Sequence, residues 1–485
     1  MLVVLSDLHF EEESSSQIIG DGTRTPLKFQ RNLPAAPFRK LIAQLAVEAK
    51  RNAARRLDFV LAGDIFDLHR TTIWFTETPP ALRPYQSTAT VDQDLEALLL
   101  RIISGIVKEK NVAEILGTFQ LLAAGKFVND NHSEEEFPVP VDVHYLPGNH
   151  DRMANATPAI RQAVRQALGL HEHGALFPNV ISFDQEQTLV RHGHEYDYTN
   201  FSMDHRDTMI FPVHLPPEQY QEPCIGDFAT IDIASHLPFL FRQYHGDEKI
   251  LADHTLRTLY LRLLEFDDLR PITAIFNYFI YAEGQMIDKR KAWAAAEPVV
   301  ILLLEALHDD PFLLASLAKL DKRWCLDMID AIQAVLAARP WRWTNSHIPL
   351  DLAEAIAQKA LASTAERPGV ERYAARESSI RNGQHRFLVA GHTHRPQVSL
   401  IANDNHGDRY YVDTGTWRNR VAATPDYRQF GQLKTLSYVI IYGPNEDRGA
   451  MSSDRIKIAS FDFWIGLTQG WERDRLGIKP LDRSR

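Results

Sequence analysis

Five short apolar runs, rich in β-branched residues, each stop at a polar cluster: LVVLSDLH (residues 2–9), DFVLAGDIFD (58–67), DVHYLPGNHD (142–151), TLVRHGHEYD (188–197) and FLVAGHTH (387–394). Uninterrupted apolar runs of this length read as strands buried on both faces, with the polar clusters at their carboxyl ends. Between the first two, residues 38–56 have helical spacing, with Leu41, Leu45 and Val47 near one face. A strand-helix-strand unit with a right-handed crossover is the natural packing, and the chain is of the α/β class. RYYVDTG, LSYVIIYG and IKIASFDFWI add three strands near the end of the chain. They suit a second sheet or an antiparallel edge.

Two segments interrupt this pattern. The minor one, residues 72–140, holds a helical stripe (Leu95, Leu98, Leu99, Ile102, Ile106) and an acidic stretch, NDNHSEEE at 129–136, read as solvated surface. The large one, residues 201–385, is repeatedly helical: Leu256, Leu259, Tyr260, Leu263 and Leu264 follow the spacing of one helix face. Glu297-Pro298 and Asp310-Pro311 read as helix starts. The expected organisation is a core of residues 1–200 and 386–485, with 201–385 inserted as a helical cap. In RPWRWT, 339–344, tryptophans alternate with arginines. That cluster suits a packed helix end, or a surface that stacks on a base.

At 485 residues with 45% hydrophobic side chains, the chain can bury a large core or several. The 53 basic residues against 63 acidic ones leave a formal charge of -10, which disfavours non-specific nucleic-acid binding. Cys224 and Cys325 lie far apart with no CxxC partner, so neither a disulfide framework nor a zinc knuckle is expected. The opening MLVVLSDLH has no basic leader, and no apolar run reads as long enough to cross a bilayer, so the expected location is cytoplasmic.

What the strand ends carry changes the picture. Asp7 and His9, Asp64 and Asp67, Asn149 and His150, His192 and His194, and His392 and His394 all offer oxygen or nitrogen donors. Alternate residues of an extended segment share a side, so His392 and His394 can reach toward one place. In open α/β sheets, sites form beyond the carboxyl ends of strands, where all five clusters fall. Such mixed donors suit a transition metal.

The ordered pattern DxH, GDxxD, GNHD, HG and GHxH resembles the calcineurin-like metallophosphoesterase superfamily, over about residues 1–200 and 386–420. The resemblance implies a four-layer αββα sandwich and a dinuclear, metal-dependent phosphoesterase. It implies that Asp7, His9, Asp64 and His394 hold one metal, and Asp64, Asn149, His192 and His392 the other. Asp64 then bridges two ions about 3.5–4 Å apart. Manganese is the first choice, with iron or zinc also suited to the donors. Two dications outweigh the two carboxylates and a shared hydroxide, so the pocket favours an anionic phosphoester or pyrophosphate, attacked by that hydroxide. His150 is implied as general acid and Asp67 as its orienting partner, with Asp151 behind them. Arg152, His194 and Arg395 are possible substrate contacts, together with His69 and Asp197.

Within the superfamily, the lipid A pathway's UDP-diacylglucosamine pyrophosphatases also place a helical insertion between HG and GHTHRP, but carry arginine where His150 stands. The expected substrate is a phosphorylated small molecule or lipid. The alternatives are a nuclease resembling the SbcD group, whose capping domain follows GHxH, and a non-catalytic scaffold, whose members tend to lose ligands.

Overall fold

The computed structural model describes residues 1–76, 82–86, 91–171, 174–205, 207–270, 277–278, 288–320, 347–355, 369–446, 450–451 and 457–468. RPWRWT lies outside the described residues, as does Cys325.

The chain is mixed α/β. Strands Leu2–Leu5, Leu57–Ala62 and Val141–Leu146 run parallel, in the order 141–146, 57–62, 2–5. The long strand Phe430–Tyr442 then joins Leu2–Leu5 in antiparallel register, Val3 opposite Ile440. It also carries Ser460–Thr468 and Asn419–Ala423. The late apolar runs therefore divide between sheets, since Gly407–Asp413 belongs to a second, five-stranded sheet. There it pairs in parallel with Phe387–Ala390, which pairs in parallel with Thr188–Arg191.

Period-two alternation explains why these strands are largely apolar on both sides. Leu2, Val4, Val60, Ala62 and Val439 of the first sheet share one buried cluster with Val190, Phe387, Val389 and Val412 of the second. Their neighbours Val3, Leu5, Phe59 and Leu61 point the other way, into a cluster with Phe38, Leu45, Ile102, Phe119 and Ile160. Leu388 and Ala390 turn outward onto Tyr196, Phe211 and Tyr220. Both faces of the central strands are thus covered, and a charge inside them is held by a partner, as Asp58 is by His144 at 2.8 Å and Arg191 by Glu377.

The crossover helix spans Ala36–Arg51, with Leu41, Ile42 and Leu45 buried. Val47 is 62% exposed, contrary to the sequence reading. Two positions beyond Leu45 on a helix is about 200° of rotation, which carries Val47 to the far side. Helix Gln93–Lys108 buries all five residues of its expected stripe behind an Asp92 cap. The acidic stretch 129–136 is largely exposed, with Glu134–Glu136 closing a short hairpin onto Lys126–Val128.

The inserted segment is helical over most of its described length, and its Phe228, Ile231, Phe241, Leu259 and Tyr260 belong to the same buried cluster as the crossover helix. It also contributes Leu269–Arg270 to the seven-stranded sheet, beside Asn419–Ala423. Asp310 caps the helix Pro311–Leu320 through Leu313 N at 2.8 Å, as expected. Pro298 does not begin a helix. It sits inside Lys289–Leu307, which starts at an Asp288 cap and runs through KRKAWAAAE, strong enough in helix formers to carry the proline. Pro217–His245 meets the length and composition of a bilayer-crossing helix, which the sequence reading does not anticipate, and half of its most apolar window is buried. Two of its acids hold buried arginines, Asp227 with Arg152 at 2.9 Å and Asp232 with Arg83 at 3.2 Å, as a helix packed on protein would.

The far end of the insertion is fastened by charge. Arg191, immediately before His192, meets Glu377 at 3.0 Å, and both side chains are fully buried. Tyr196 Oη donates to the same carboxylate at 2.6 Å. Replacing Arg191 with Leu leaves Glu377 buried without its cation, so the variant should lose about 3–5 kcal/mol. Thermal unfolding checks this as a lowered Tm.

Candidate metal centre

The parallel strands of both sheets deliver their carboxyl ends to one place. Backbone hydrogen bonds stitch the loops there: Asp7 N donates to Gly63 O (3.0 Å), His9 N to Asp64 O (2.8 Å), Leu68 N to His150 O (3.3 Å), Gly391 N to His192 O (2.8 Å) and Trp417 N to Asp7 O (3.2 Å). Asp151 organises two loops at once, accepting from the backbone N–H of Gly148 (2.6 Å), Ile65 (2.8 Å) and Asp64 (3.2 Å).

Two groups of donor atoms result. In the first, His9 Nε2 and His394 Nε2 face each other at 2.9 Å, with Asp7 Oδ1 at 3.7 and 3.2 Å from them. In the second, His192 Nε2 lies 3.1 Å from Asp64 Oδ2 and 3.2 Å from Asn149 Oδ1, which is 3.0 Å from His392 Nδ1. Asp64 Oδ2 is also 3.7 Å from His9 Nε2. One carboxylate oxygen therefore stands between both groups, and every one of these side chains is buried or nearly so.

The backbone is bent to achieve this. Asp7 (φ 54°), His9 (44°), Asp64 (52°), His392 (73°) and His394 (58°) all occupy the left-handed region, five of nine non-glycine residues that do so among those described. Asp and His enter this region more readily than most side chains, yet five in one place is uncommon, and such conformations collect where side chains must be aimed. The extended geometry expected for GHTH is thus replaced by a kinked one. Its two histidines part company, His392 toward Asp64 and His192, His394 toward Asp7 and His9.

The donor set and its surroundings fit cations. Asp7–His9–His394 and Asp64–His192–His392 each place three ligand atoms close enough to hold one. Glycines keep the space open: a Cβ on Gly148 would strike Asp64 Oδ1 and His192, one on Gly391 would strike Ser6 and Asp7, and one on Gly63 would strike the His192 ring. The electrostatics agree. Burial pushes the Asp64 carboxyl up, but His192, His150 and His9 outweigh it and hold it far below the usual carboxylate range. Burial likewise disfavours charge on His192, yet Asp64 overrides this and raises it to about 10. The carboxylate that favours a positive charge on His192 would equally favour a metal dication, bound by the neutral ring in place of its proton.

Asp67 does more than the sequence reading assigns it. Its Oδ1 accepts from His150 Nδ1 and its Oδ2 from His9 Nδ1, both at 3.0 Å. It is buried, and despite burial the two rings hold its carboxyl well below the usual range. Arg418 approaches it to 3.9 Å while bonding Glu11 at 2.7 Å. Nothing in the spacing of TWRNR marks Arg418. Its role arises because Thr416 Oγ1 (2.6 Å) and Trp417 N (3.2 Å) anchor this segment to Asp7 O.

Of the expected substrate contacts, Arg395 is exposed directly after His394. Arg152 is otherwise employed: its guanidinium binds Asp227 (2.9 Å) and the Gln221 carbonyl (2.8 Å), tying the insertion to the core. His194 is buried against Phe201 and Tyr220, and burial lowers it to about 4. His69 is buried with its ring 5.4 Å from His150. Asp197 Oδ2 reaches His392 Nε2 at 3.2 Å. Accordingly His192→Ala should lower the metal content found by elemental analysis, whereas His194→Ala should leave it unchanged. The reverse would move the ligand assignment by two residues.

No family model matches the chain, nor does any curated protein or solved structure.

Proposed function

We propose that the chain is a dinuclear metal-dependent phosphohydrolase of the calcineurin-like metallophosphoesterase kind, with the four-layer αββα arrangement of that superfamily. The observation that carries this reading is Asp64 Oδ2 between two three-residue donor groups, 3.1 Å from His192 Nε2 and 3.7 Å from His9 Nε2. Asp7, His9, Asp64 and His394 would hold one ion, and Asp64, Asn149, His192 and His392 the other.

When bound, two divalent transition metals, manganese first and iron or zinc as alternatives, supply Lewis acidity toward phosphoryl oxygens and activation of water. The chain's own residues do the rest. Asn149 contributes a neutral oxygen, so the site gains a donor without cancelling more positive charge. Asp67, bonded to Nδ1 of both His9 and His150, sets the tautomer and direction of each ring. A proton given by His150 then leaves from Nε2, and Asp67 stabilises the imidazolium before that transfer to the departing oxygen. His9 and His150 stand edge to face, ring centres 4.7 Å apart, so metal ligand and acid share one wall.

The charge of -10 argues against a nucleic-acid substrate and leaves a small-molecule or lipid phosphoester or pyrophosphate as the substrate class. Residues 201–385 would act as a cap: Tyr220, near their start, already packs on His194, and Asp227 on Arg152. The test is a screen of the manganese-loaded chain against phosphomonoesters, phosphodiesters, nucleotide pyrophosphates and DNA. Hydrolysis of one of the first three supports the reading. Activity confined to DNA favours the SbcD-like nuclease, and metal binding with no hydrolysis favours a scaffold.

A further inference from the structure

Among the late apolar runs, RYYVDTG also stops at a polar cluster, one that serves neither as metal ligand nor as proton donor. Its strand, Gly407–Asp413, pairs in parallel with Phe387–Ala390, Asp413 opposite Ala390, so its carboxyl end emerges beside the loop that carries His392 and His394. Asp413 and Thr414 are both buried there, with 1% and 0% of their surface exposed. Neighbouring side chains of an extended chain face opposite ways, and these two reach different ligand loops.

Asp413 grips the histidine loop. Its Oδ2 accepts from Thr393 Oγ1 at 2.7 Å and from Tyr411 Oη at 3.1 Å, while its Oδ1 accepts from Gly415 N at 2.9 Å. Thr393 is the residue between His392 and His394, and its hydroxyl oxygen also accepts from Arg395 N at 3.2 Å. That hydroxyl therefore ties the chain on both sides of His394 to a carboxylate outside the loop, across the bend that sends the two rings to different donor groups. Thr414 reaches the other way. Its Oγ1 lies 2.6 Å from Ser6 Oγ and 3.1 Å from Ala390 O, and Ser6 donates to Asp7 Oδ2. Ser6 and His392 N (3.0 Å) hold that oxygen, which leaves Asp7 Oδ1 turned toward His394 Nε2 at 3.2 Å.

We infer that Asp413 and Thr414 are positioning residues for the metal centre, Asp413 acting through Thr393 on both donor groups and Thr414 acting through Ser6 on the Asp7 group alone. This rests on the dinuclear reading and adds to it the groups that aim its ligands. A ligand held in an uncommon backbone conformation relaxes once its support is removed, and partners of this kind are worth about 10–100-fold in metal affinity. One ligand of each group flanks Thr393, so releasing Thr393 should disturb both ions. Releasing Ser6 should disturb one.

Calorimetric titration of the metal-free, full-length chain with manganese tests this without reference to activity. Thr393→Val, which keeps the shape and removes the hydroxyl, should weaken both binding steps by about 10–100-fold, while Thr393→Ser stays near wild type. Thr414→Val should weaken one step by a similar factor, with Thr414→Ser again near wild type. Unchanged affinities in the valine variants overturn the inference. So does an equal loss in the serine variants, which keep the hydroxyl, because the loss is then one of packing. Equal weakening of both steps by Thr414→Val removes its assignment to the Asp7 group. Circular dichroism confirms that each variant is folded, and Thr393→Ala takes the place of a valine variant that is not. If the wild-type chain binds fewer than two manganese ions, it is the dinuclear reading that fails. Hydrogen exchange of the metal-free chain then decides the brace separately: faster exchange of the amides of residues 391–394 in Thr393→Val upholds it, and unchanged exchange rejects it.

Discussion

Asp64→Asn is expected to abolish phosphoester hydrolysis and to reduce the metal content of the purified chain from about two ions to one or none. The effect should exceed that of replacing any other ligand, because among the described residues only the Asp64 carboxylate stands within 3.7 Å of ligand nitrogens from both groups. An amide keeps the size and one oxygen, but loses the negative charge that lets two dications sit close together. His150 N also donates to Asp64 Oδ1 at 2.8 Å, so the substitution should leave the loop folded if the amide oxygen takes that place. Elemental analysis and turnover on an aryl phosphate check both halves. A variant holding two ions at wild-type turnover would remove the bridging role.

His150→Ala should behave differently. Its ring reaches the centre through Asp67, and its own position is not among the two donor groups assigned to metals. A positioned general acid is worth about 10²–10⁴-fold, so turnover should fall by that factor while metal content stays near two. Substrates with an acidic leaving group, which need little protonation, should suffer least. A different result deserves equal notice: His150 also forms a three-residue donor group with His9 and Asp67. Loss of an ion from His150→Ala would therefore reassign it as a ligand.

The two predictions draw on parts of the molecule that were unequally legible in the chain. The five strands and their polar ends can be read from runs such as LDFVLA and FLVA, because burial on both faces makes most positions apolar, with a lone charge such as Asp58 kept only where it is paired. That the five ends converge cannot be read the same way, since it depends on pairing Phe387 with Thr188 across nearly two hundred residues. Nor does spacing disclose the path of GHTH. Alternation suggests an extended segment, while the structure kinks at both histidines, a conformation paid for by contacts to Asp7 and Asp64 elsewhere in the chain. Arg152 shows the converse. Beside GNHD it looks like a phosphate contact, and only the fold reveals Asp227 as its partner. Arg418 was invisible for the same reason, because its proximity to Asp67 comes from tertiary anchoring of Thr416 and Trp417 on Asp7.

The central claim is that the two donor groups work as one dinuclear hydrolytic centre. Stepwise addition of manganese to the metal-free chain, with hydrolysis of p-nitrophenyl phosphate followed at each step, tests it most directly. The account predicts almost no turnover without metal and a rise that saturates at about two equivalents per chain. Full activity before any manganese is added, in a chain shown by elemental analysis to hold no other metal, would contradict it.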